Sequence, residues 1–186
     1  MSTLLRLTSL LVSCSLMGLL TSCATTTNNP YSGPSASTNY GDRLPQHLDT
    51  DNKRVVLIDP NVHAWGAYDT DGRLVRAGIA TAGGAVCPPD AVGESDCRTA
   101  SGTFHITSIG GGDCYSKKYP QPYGGGLMPF CMYFHGGQAL HGSPDDIVVE
   151  SNISHGCVRM QIPEAEWMVN NFAHVGTKVV VVPYQS

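Results

Sequence analysis

The sequence predicts a mainly β domain with one short helix, and three observations favour this fold class. Short runs of β-branched and aromatic residues recur along residues 53–186, and turn residues separate them. Near residue 163 a single segment has the apolar spacing of an amphipathic helix. This part of the chain also has the size of one ordinary domain, which is enough to bury a sizeable core.

The expected strands follow one another along this domain. Asp71-Gly72 is a hairpin signal between the second and the third of them. The final strand is rich in valine and is expected to be buried. The predicted strands span residues 54–59, 63–68, 73–81, 103–107, 132–135, 138–141 and 177–182.

The predicted helix begins near Pro163. Proline is favoured in the first helical turn because its missing N–H is not needed there. Glu164 complements the positive end of the helix dipole. Trp167, Met168 and Phe172 give the segment an apolar face.

The N-terminal residues 1–22 have the features of a bacterial lipoprotein signal peptide. Arg6 precedes an apolar stretch that is too short and too rich in serine to span a membrane. The end of this segment resembles a lipobox, which predicts lipidation of Cys23; Cys14 also fits but leaves an apolar region of only about seven residues. Ala24 in place of aspartate implies, by resemblance to sorted lipoproteins, a periplasmic location at the outer membrane of a Gram-negative cell envelope. A secreted protein with an unmodified Cys23 is the alternative.

Residues 23–52 are predicted to be a flexible tether. They are rich in Thr, Asn, Ser, Pro and Gly and contain few aliphatic residues. Such a segment buries too little apolar surface to offset the entropy lost on ordering. The tether is expected to hold the catalytic domain, residues 53–186, at a distance from the membrane.

The main chemical signal is a cysteine that closely follows a histidine. Cys157 stands two residues after His155, and Gly156 between them permits a tight turn. His141 offers a second imidazole upstream. An imidazole activates a thiol and supplies the general acid for a leaving group. The backbone N–H groups of Gly156 and Cys157 are predicted to form an oxyanion hole.

This motif resembles a family signature. His141-Gly142 followed by Ser154-His155-Gly156-Cys157-Val158-Arg159-Met160 is similar to the signature of the L,D-transpeptidases with the YkuD-type catalytic domain. The resemblance implies a β-sandwich or open, barrel-like pair of sheets, with the helix after the motif. Residues 99–104 stand where the family has a TPxGxF-like turn, although the proline is absent here.

The resemblance also implies a role for each residue of the motif. Cys157 is the expected nucleophile and His141 the expected base. Arg159 is expected to anchor a substrate carboxylate or the turn itself, and no cofactor or metal is implied. His155 is expected to be a second active-site imidazole. The carbonyl of Gly142 or of Ser143 is expected to orient the base, and Ser154 and Gly156 are expected to form the orienting turn.

The expected activity is transpeptidation of peptidoglycan stem peptides through a thioester on Cys157, and the family implies acylation by carbapenems. An L,D-carboxypeptidase with the same site and a non-catalytic, peptidoglycan-binding lipoprotein are the alternatives. The chain has 11 basic and 15 acidic residues, a formal net charge of −4. This balance argues against a nucleic-acid partner.

The remaining cysteines indicate an oxidising compartment. Four cysteines permit three pairings, and proximity favours Cys87 with Cys97 and Cys114 with Cys131. Each bridge is worth on the order of 3 kcal/mol in the chain-entropy model, and such bridges persist in the periplasm. Zinc binding by these cysteines is the rival interpretation, but none of them shows a CxxC spacing.

Glycines in residues 110–126 predict either a mobile lid over the site or a loop pinned by a disulfide.

Overall fold

A computed structural model describes residues 38–185, which form two mixed β-sheets and one short helix. The larger sheet has the order β3-β2-β1-β9-β4, and only β1 and β9 are parallel. Its strands are β1 (Val55–Asp59), β2 (Ala64–Tyr68), β3 (Leu74–Ile79), β4 (Gly102–His105) and β9 (Lys178–Val181). The predicted signal peptide, Cys23 and the first part of the predicted tether lie outside the described residues.

The smaller sheet has the order β5-β6-β7-β8, and only β7 and β8 are parallel. Its strands are β5 (Ser108–Ile109), β6 (Met132–His135), β7 (Gln138–Ser143) and β8 (Val158–Gln161). The helix α1 (Ile162–Trp167) follows β8 directly and continues as a π-helical turn, Met168–Phe172. Two 3₁₀ turns, Tyr40–Arg43 and Asp145–Ile147, complete the elements of the described residues.

The main core lies between the two sheets. Strand residues alternate between two faces, so Val56 and Ile58 of β1 point to the same side. They pack with Leu140 and Met160 of the smaller sheet and with Met168 beyond the helix. This arrangement confirms the predicted fold class and the position of the helix after the cysteine motif.

The other face of β1 explains a correction to the predicted tether. Val55 and Leu57 point away from the main core and pack with Tyr40 and Leu44, both of which are buried. Tyr40 also donates a hydrogen bond of 2.9 Å to Glu150 Oε1. Residues 40–50 are therefore part of the folded domain, and the prediction of a flexible tether extending to residue 52 is wrong over this segment.

The predicted strands are confirmed, although the sequence missed β5 and β8. β5 is only two residues long. β8 follows Cys157 immediately, and its apolar residues Val158 and Met160 were assigned to the catalytic motif rather than to a strand. Within residues 38–185 no helix has the length and apolar character needed to cross a membrane.

Candidate active site

The pairing of β7 with β8 places His141 and Cys157, the two main candidate residues, on one face of the smaller sheet. The strands are parallel, with His141 opposite Arg159. Leu140 and Val158 point into the main core. Because side chains alternate along a strand, His141 and Arg159 point to the opposite face, and Cys157, two residues before Arg159, begins the same row.

The turn before Cys157 is held by hydrogen bonds within itself. Gly156 has a φ of +111°, a conformation that residues with a Cβ rarely adopt. Its N–H donates to Ser154 Oγ at 3.1 Å, and the Ser154 hydroxyl donates to the Cys157 carbonyl. The Gly156 N–H is therefore engaged inside the turn of the resting site, so the Cys157 N–H is the more available of the two donors predicted for the oxyanion hole.

Thr99 supports this turn from a separate part of the chain. Its buried hydroxyl donates to the Gly156 carbonyl at 2.9 Å and accepts from the Gly83 N–H at 3.0 Å. A Cβ on Gly83 would lie 1.9 Å from the Cys97 carbonyl oxygen, so only glycine fits there. No role for Thr99 was predicted from the sequence, although this residue begins the segment that resembles the family's TPxGxF-like turn.

Replacing Thr99 with valine is expected to remove both hydrogen bonds while keeping the shape of the side chain. We expect the free energy of unfolding to fall by about 1–3 kcal/mol, because the Gly156 carbonyl and Gly83 N–H lose their buried partner. We also expect slower acylation of Cys157, on the order of tenfold, because the turn is displaced. Denaturant unfolding and acylation kinetics check these effects, with Thr99→Ser as the control that retains the hydroxyl. Acylation of the valine variant at the wild-type rate would contradict this role.

His141 is buried and its tautomer is defined by its surroundings. Its Nδ1 lies 2.8 Å from the Gly142 carbonyl oxygen, which can only accept a hydrogen bond. Ser143 Oγ lies 3.3 Å from the same nitrogen. Nδ1 therefore carries the proton and Nε2 is left as the acceptor. Of the two orienting carbonyls that the sequence left open, the structure selects Gly142.

Burial is the largest influence on the pKa of both Cys157 and His141. It raises the pKa of the Cys157 thiol above its ordinary value, although a backbone hydrogen bond from Ala139 and the charge of Arg159 act in the opposite direction. Burial lowers the pKa of His141, the hydrogen bond to Gly142 raises it and the charge of Arg159 lowers it, and together they bring it to about 4. At neutral pH the resting site therefore holds a neutral thiol and a neutral imidazole.

The lowered pKa of His141 predicts an acid-sensitive fold. The unfolded chain protonates His141 near pH 6.5, whereas the folded domain does so only near pH 4. As the pH falls through this window the unfolded state binds the proton first, so the free energy of unfolding falls by roughly 3 kcal/mol. Urea unfolding at pH 7, 5.5 and 4 measures this loss. His141→Gln is expected to lose less stability over the same window, and equal losses in both proteins would contradict the assignment.

Two disulfide-closed loops form the rim of the site. We call residues 87–97 the first loop and residues 114–131 the second loop. The structure contains both predicted disulfides, with Cα separations of 5.0 Å for Cys87–Cys97 and 6.1 Å for Cys114–Cys131. The zinc interpretation is wrong for these four cysteines, because a disulfide sulfur offers no thiolate to a metal. In residues 38–185 no three His, Cys, Asp or Glu side chains are placed to hold a metal ion.

Cys157 lies where two cavities meet. The larger cavity, about 570 Å³, contains polar residues of both charges, including Arg98, Lys117 and Glu94. The smaller cavity, about 360 Å³, contains His141 and Arg159, and its lining is mostly apolar. Cys157 lines both, and its Sγ lies 4.0 Å from the Gly137 carbonyl oxygen. The cysteine is therefore accessible from two directions.

The structure places His155 and Arg159 at the same cleft. His155 Nε2 lies 2.7 Å from Asp90 Oδ1, and its ring packs on Tyr119. Neither Asp90 nor Tyr119 was singled out by the sequence, since both contacts join distant parts of the chain. Arg159 lines the smaller cavity, and none of the ion pairs found in the described part of the chain uses its guanidinium. Arg159 is thus placed to meet an anionic group inside the cavity.

Comparison with known proteins agrees with this architecture. The sequence model of the YkuD family, the L,D-transpeptidase catalytic domain, matches residues 53–181. A comparison with curated proteins found no match. A crystal structure of an L,D-transpeptidase from Xylanimonas cellulosilytica is 26% identical with a TM-score of 0.62, and the alignment covers 74% of this chain and 64% of that one.

Two further solved structures have the same fold at lower identity. An L,D-transpeptidase from Stackebrandtia nassauensis is 19% identical, with a TM-score of 0.58, and the alignment covers 75% of this chain and 60% of that one. L,D-transpeptidase 3 from Mycobacterium tuberculosis, in complex with a faropenem-derived adduct, is 18% identical with a TM-score of 0.54, at 70% and 60% coverage. The chain spans less than two thirds of the length of each of these three solved chains. Since the family model matches more than half of the sequence, this chain belongs to the YkuD family and carries its L,D-transpeptidase catalytic domain.

Proposed function

We propose that this chain is a cysteine-dependent L,D-transpeptidase that acts on peptidoglycan stem peptides. The observation that carries the proposal is the placement of Cys157 and His141 at one cavity, with the His141 tautomer fixed by Gly142. A binding protein has no need for an imidazole acceptor beside a thiol. The family match supplies the class of substrate.

The first step is acylation of Cys157. As the sulfur attacks the carbonyl carbon of a peptide bond from an L-centre to a D-centre, His141 Nε2 accepts the thiol proton. The raised thiol pKa and lowered imidazole pKa mean that this proton moves with the attack rather than before it. The Cys157 N–H stabilises the tetrahedral oxyanion. The C–N bond then breaks, His141 returns the proton to the departing amine, and a thioester remains.

The second step releases the acyl group. A primary amine from a neighbouring stem attacks the thioester carbonyl, and His141 accepts the proton that this amine loses. The C–S bond breaks, the thiol is restored, and a new peptide bond joins the two stems. If water attacks instead, the product is a trimmed stem, which is the carboxypeptidase reaction. The two cavities at Cys157 favour transpeptidation, because donor and acceptor have separate routes to one sulfur.

Arg159 is proposed to bind a carboxylate of the donor stem. Its guanidinium lies in the cavity that contains His141, and burial together with its charge makes an anionic partner favourable there. Penems and carbapenems are proposed to acylate Cys157 because they carry a carboxylate beside a reactive carbonyl. A faropenem-derived adduct on a structurally similar L,D-transpeptidase supports this step.

The proposed location is the periplasm of a Gram-negative cell, with a lipid anchor at Cys23. Two disulfides within one domain support an oxidising compartment. The anchor rests on the signal-like sequence before Cys23, which lies outside the described residues. On this proposal the folded domain begins near Tyr40, so the tether runs from Cys23 to about residue 39.

The test is product analysis after incubation with purified disaccharide tetrapeptides. New stem-to-stem dimers that are absent with Cys157→Ala are the expected result. Trimmed monomers alone would assign the carboxypeptidase activity instead. Unchanged muropeptides, together with binding to peptidoglycan, would overturn the proposal in favour of a binding protein.

A further inference from the structure

The two disulfide-closed loops meet over the ring of His155. Asp90 of the first loop lies 2.7 Å from His155 Nε2 through its Oδ1 atom. Tyr119 of the second loop packs on the face of the imidazole, with ring centroids 4.2 Å apart and an angle of 31° between the planes. The imidazole is thus held at its edge by one loop and on its face by the other.

This contact fixes how His155 participates in the site. A carboxylate only accepts hydrogen bonds, so the Nε2–H of His155 donates to Asp90. That nitrogen is then unable to accept the Cys157 proton. The pair is partly shielded, with the His155 and Asp90 side chains 17% and 36% exposed. The division of roles leaves His141 as the base and His155 as the link between the loops.

An ion pair joins the same two loops directly, but it is more exposed. Lys118 Nζ lies 2.6 Å from Glu94 Oε1, with the two side chains 58% and 37% exposed. Ion pairs of this kind contribute little to stability because water and salt screen them. The more shielded contact of Asp90 with His155 is therefore the stronger candidate for holding the loops together.

The stacked rings also lie where the two cavities meet. Tyr119, His155 and Cys157 each line both the larger and the smaller cavity. A shift of either ring changes the width of both cavities where they reach the sulfur. The position of the rings therefore controls how a bulky acyl donor approaches the thiol.

We propose that Asp90 is a positioning residue, which acts through His155 and Tyr119 to hold the cleft at the width needed for acylation of Cys157. The Asp90 carboxylate makes no contact with the thiol and takes no part in proton transfer. Its role is to hold the first loop on the imidazole whose face the second loop covers through Tyr119. The proposal rests on the proposed function for the identity of the bulky acyl donor.

The test compares a bulky reagent with a small one on the same thiol. On this proposal, acylation of Cys157 by imipenem requires an aligned cleft, whereas alkylation by the smaller iodoacetamide does not. Asp90→Ala is expected to slow acylation by imipenem on the order of tenfold, because misplacement of a positioning group costs rate. The rate with iodoacetamide is expected to remain unchanged. Asp90→Asn is expected to retain most of the imipenem rate, since its amide oxygen accepts the same hydrogen bond.

We call the contacts of His155 with Asp90 and Tyr119 the clamp. Matched variants separate the effect of losing the clamp from the general effects of a substitution near the site. Tyr119→Phe preserves the ring and is expected to react as the wild type does, whereas Tyr119→Leu is expected to resemble Asp90→Ala. Asp113→Ala removes an exposed carboxylate next to the second loop and serves as the charge control. Nitrogen-15 spectra of labelled histidine are expected to show a protected Nε2–H of His155, which Asp90→Ala removes and Asp113→Ala retains.

The outcomes distinguish the clamp from the proposed function. Equal imipenem rates for the wild type and Asp90→Ala would overturn the clamp, as would an equal slowing with both reagents. A wild-type protein that reacts with iodoacetamide but not with imipenem would count against the proposed function. In that case the nitrogen-15 spectra decide the clamp, because an Nε2–H signal that survives in Asp90→Ala would overturn it.

Discussion

Replacing Cys157 with serine is expected to lower the rate of acyl transfer by about three to four orders of magnitude while the fold is retained. A hydroxyl has a much higher pKa than a thiol and depends more strongly on a base. With a pKa of about 4, His141 is too weak a base to activate a serine at neutral pH. The rate of dimer formation from tetrapeptide stems measures the loss.

The contacts of the Cys157 side chain explain why Cys157→Ser is expected to retain the fold. Cys157 is partly exposed at the floor of the cleft, and its sulfur contacts the backbone of Ala139 and, at 4.0 Å, the Gly137 carbonyl. The thermal unfolding midpoint of Cys157→Ser is therefore expected to stay close to that of the wild type. Turnover by the serine variant at a comparable rate would rule out the thiol as the nucleophile.

Replacing His141 with glutamine is expected to lower acyl transfer by about 10²- to 10⁴-fold, because the thiol loses its proton acceptor. The thiol itself remains, so alkylation by iodoacetamide at high pH is expected to persist. Measuring both reactions in the same variant separates loss of the base from damage to the cysteine.

His174→Gln is a suitable control for this variant. His174 is exposed, and its Nδ1 contacts the carbonyl of the following residue at 2.9 Å, as His141 does. This control removes an imidazole with the same local hydrogen bond outside the site. If His141→Gln and His174→Gln reduce acyl transfer equally, the assignment of His141 as the base is wrong.

The parts of the site that the sequence predicted are those within one continuous segment. Cys157 and His141 belong to a recognisable motif, and the pairing of β7 with β8 brings them to one face. The cysteine pairs were also predictable, because each closes a short loop. The motif and the cysteine pairs are recognised from residues that lie close together in the sequence, so no long-range contact was needed to predict them.

The remaining features depend on contacts between distant parts of the chain. Thr99 supports the Gly156 carbonyl from 57 positions away, and Asp90 meets His155 from 65 positions away. Thr99 belongs to the TPxGxF-like segment, but nothing in the sequence at Thr99 or at Asp90 indicates which distant residue it contacts. The engagement of the Gly156 N–H by Ser154 was hidden for a different reason, since it depends on the orientation of one hydroxyl.

The predicted tether was wrong over residues 40–50 for a similar reason, because packing against a distant strand decides the structure of this segment. Composition predicted a tether because residues 23–52 are mostly polar. However, Tyr40, Leu44 and Leu48 recur every four residues, and they cover the outer face of β1. The uninterrupted apolar residues Val55 to Ile58 require cover on both faces, which was a signal that another segment packs there.

The central claim is that Cys157 becomes acylated by the donor stem. Mass spectrometry of the protein, after brief incubation with tetrapeptide stems and acid quenching, tests it most directly. We expect the peptide containing Cys157 to gain the mass of the donor minus its terminal D-amino acid, and hydroxylamine to remove this mass. Product formation with no such adduct on Cys157, or with the adduct on another residue, would contradict the account.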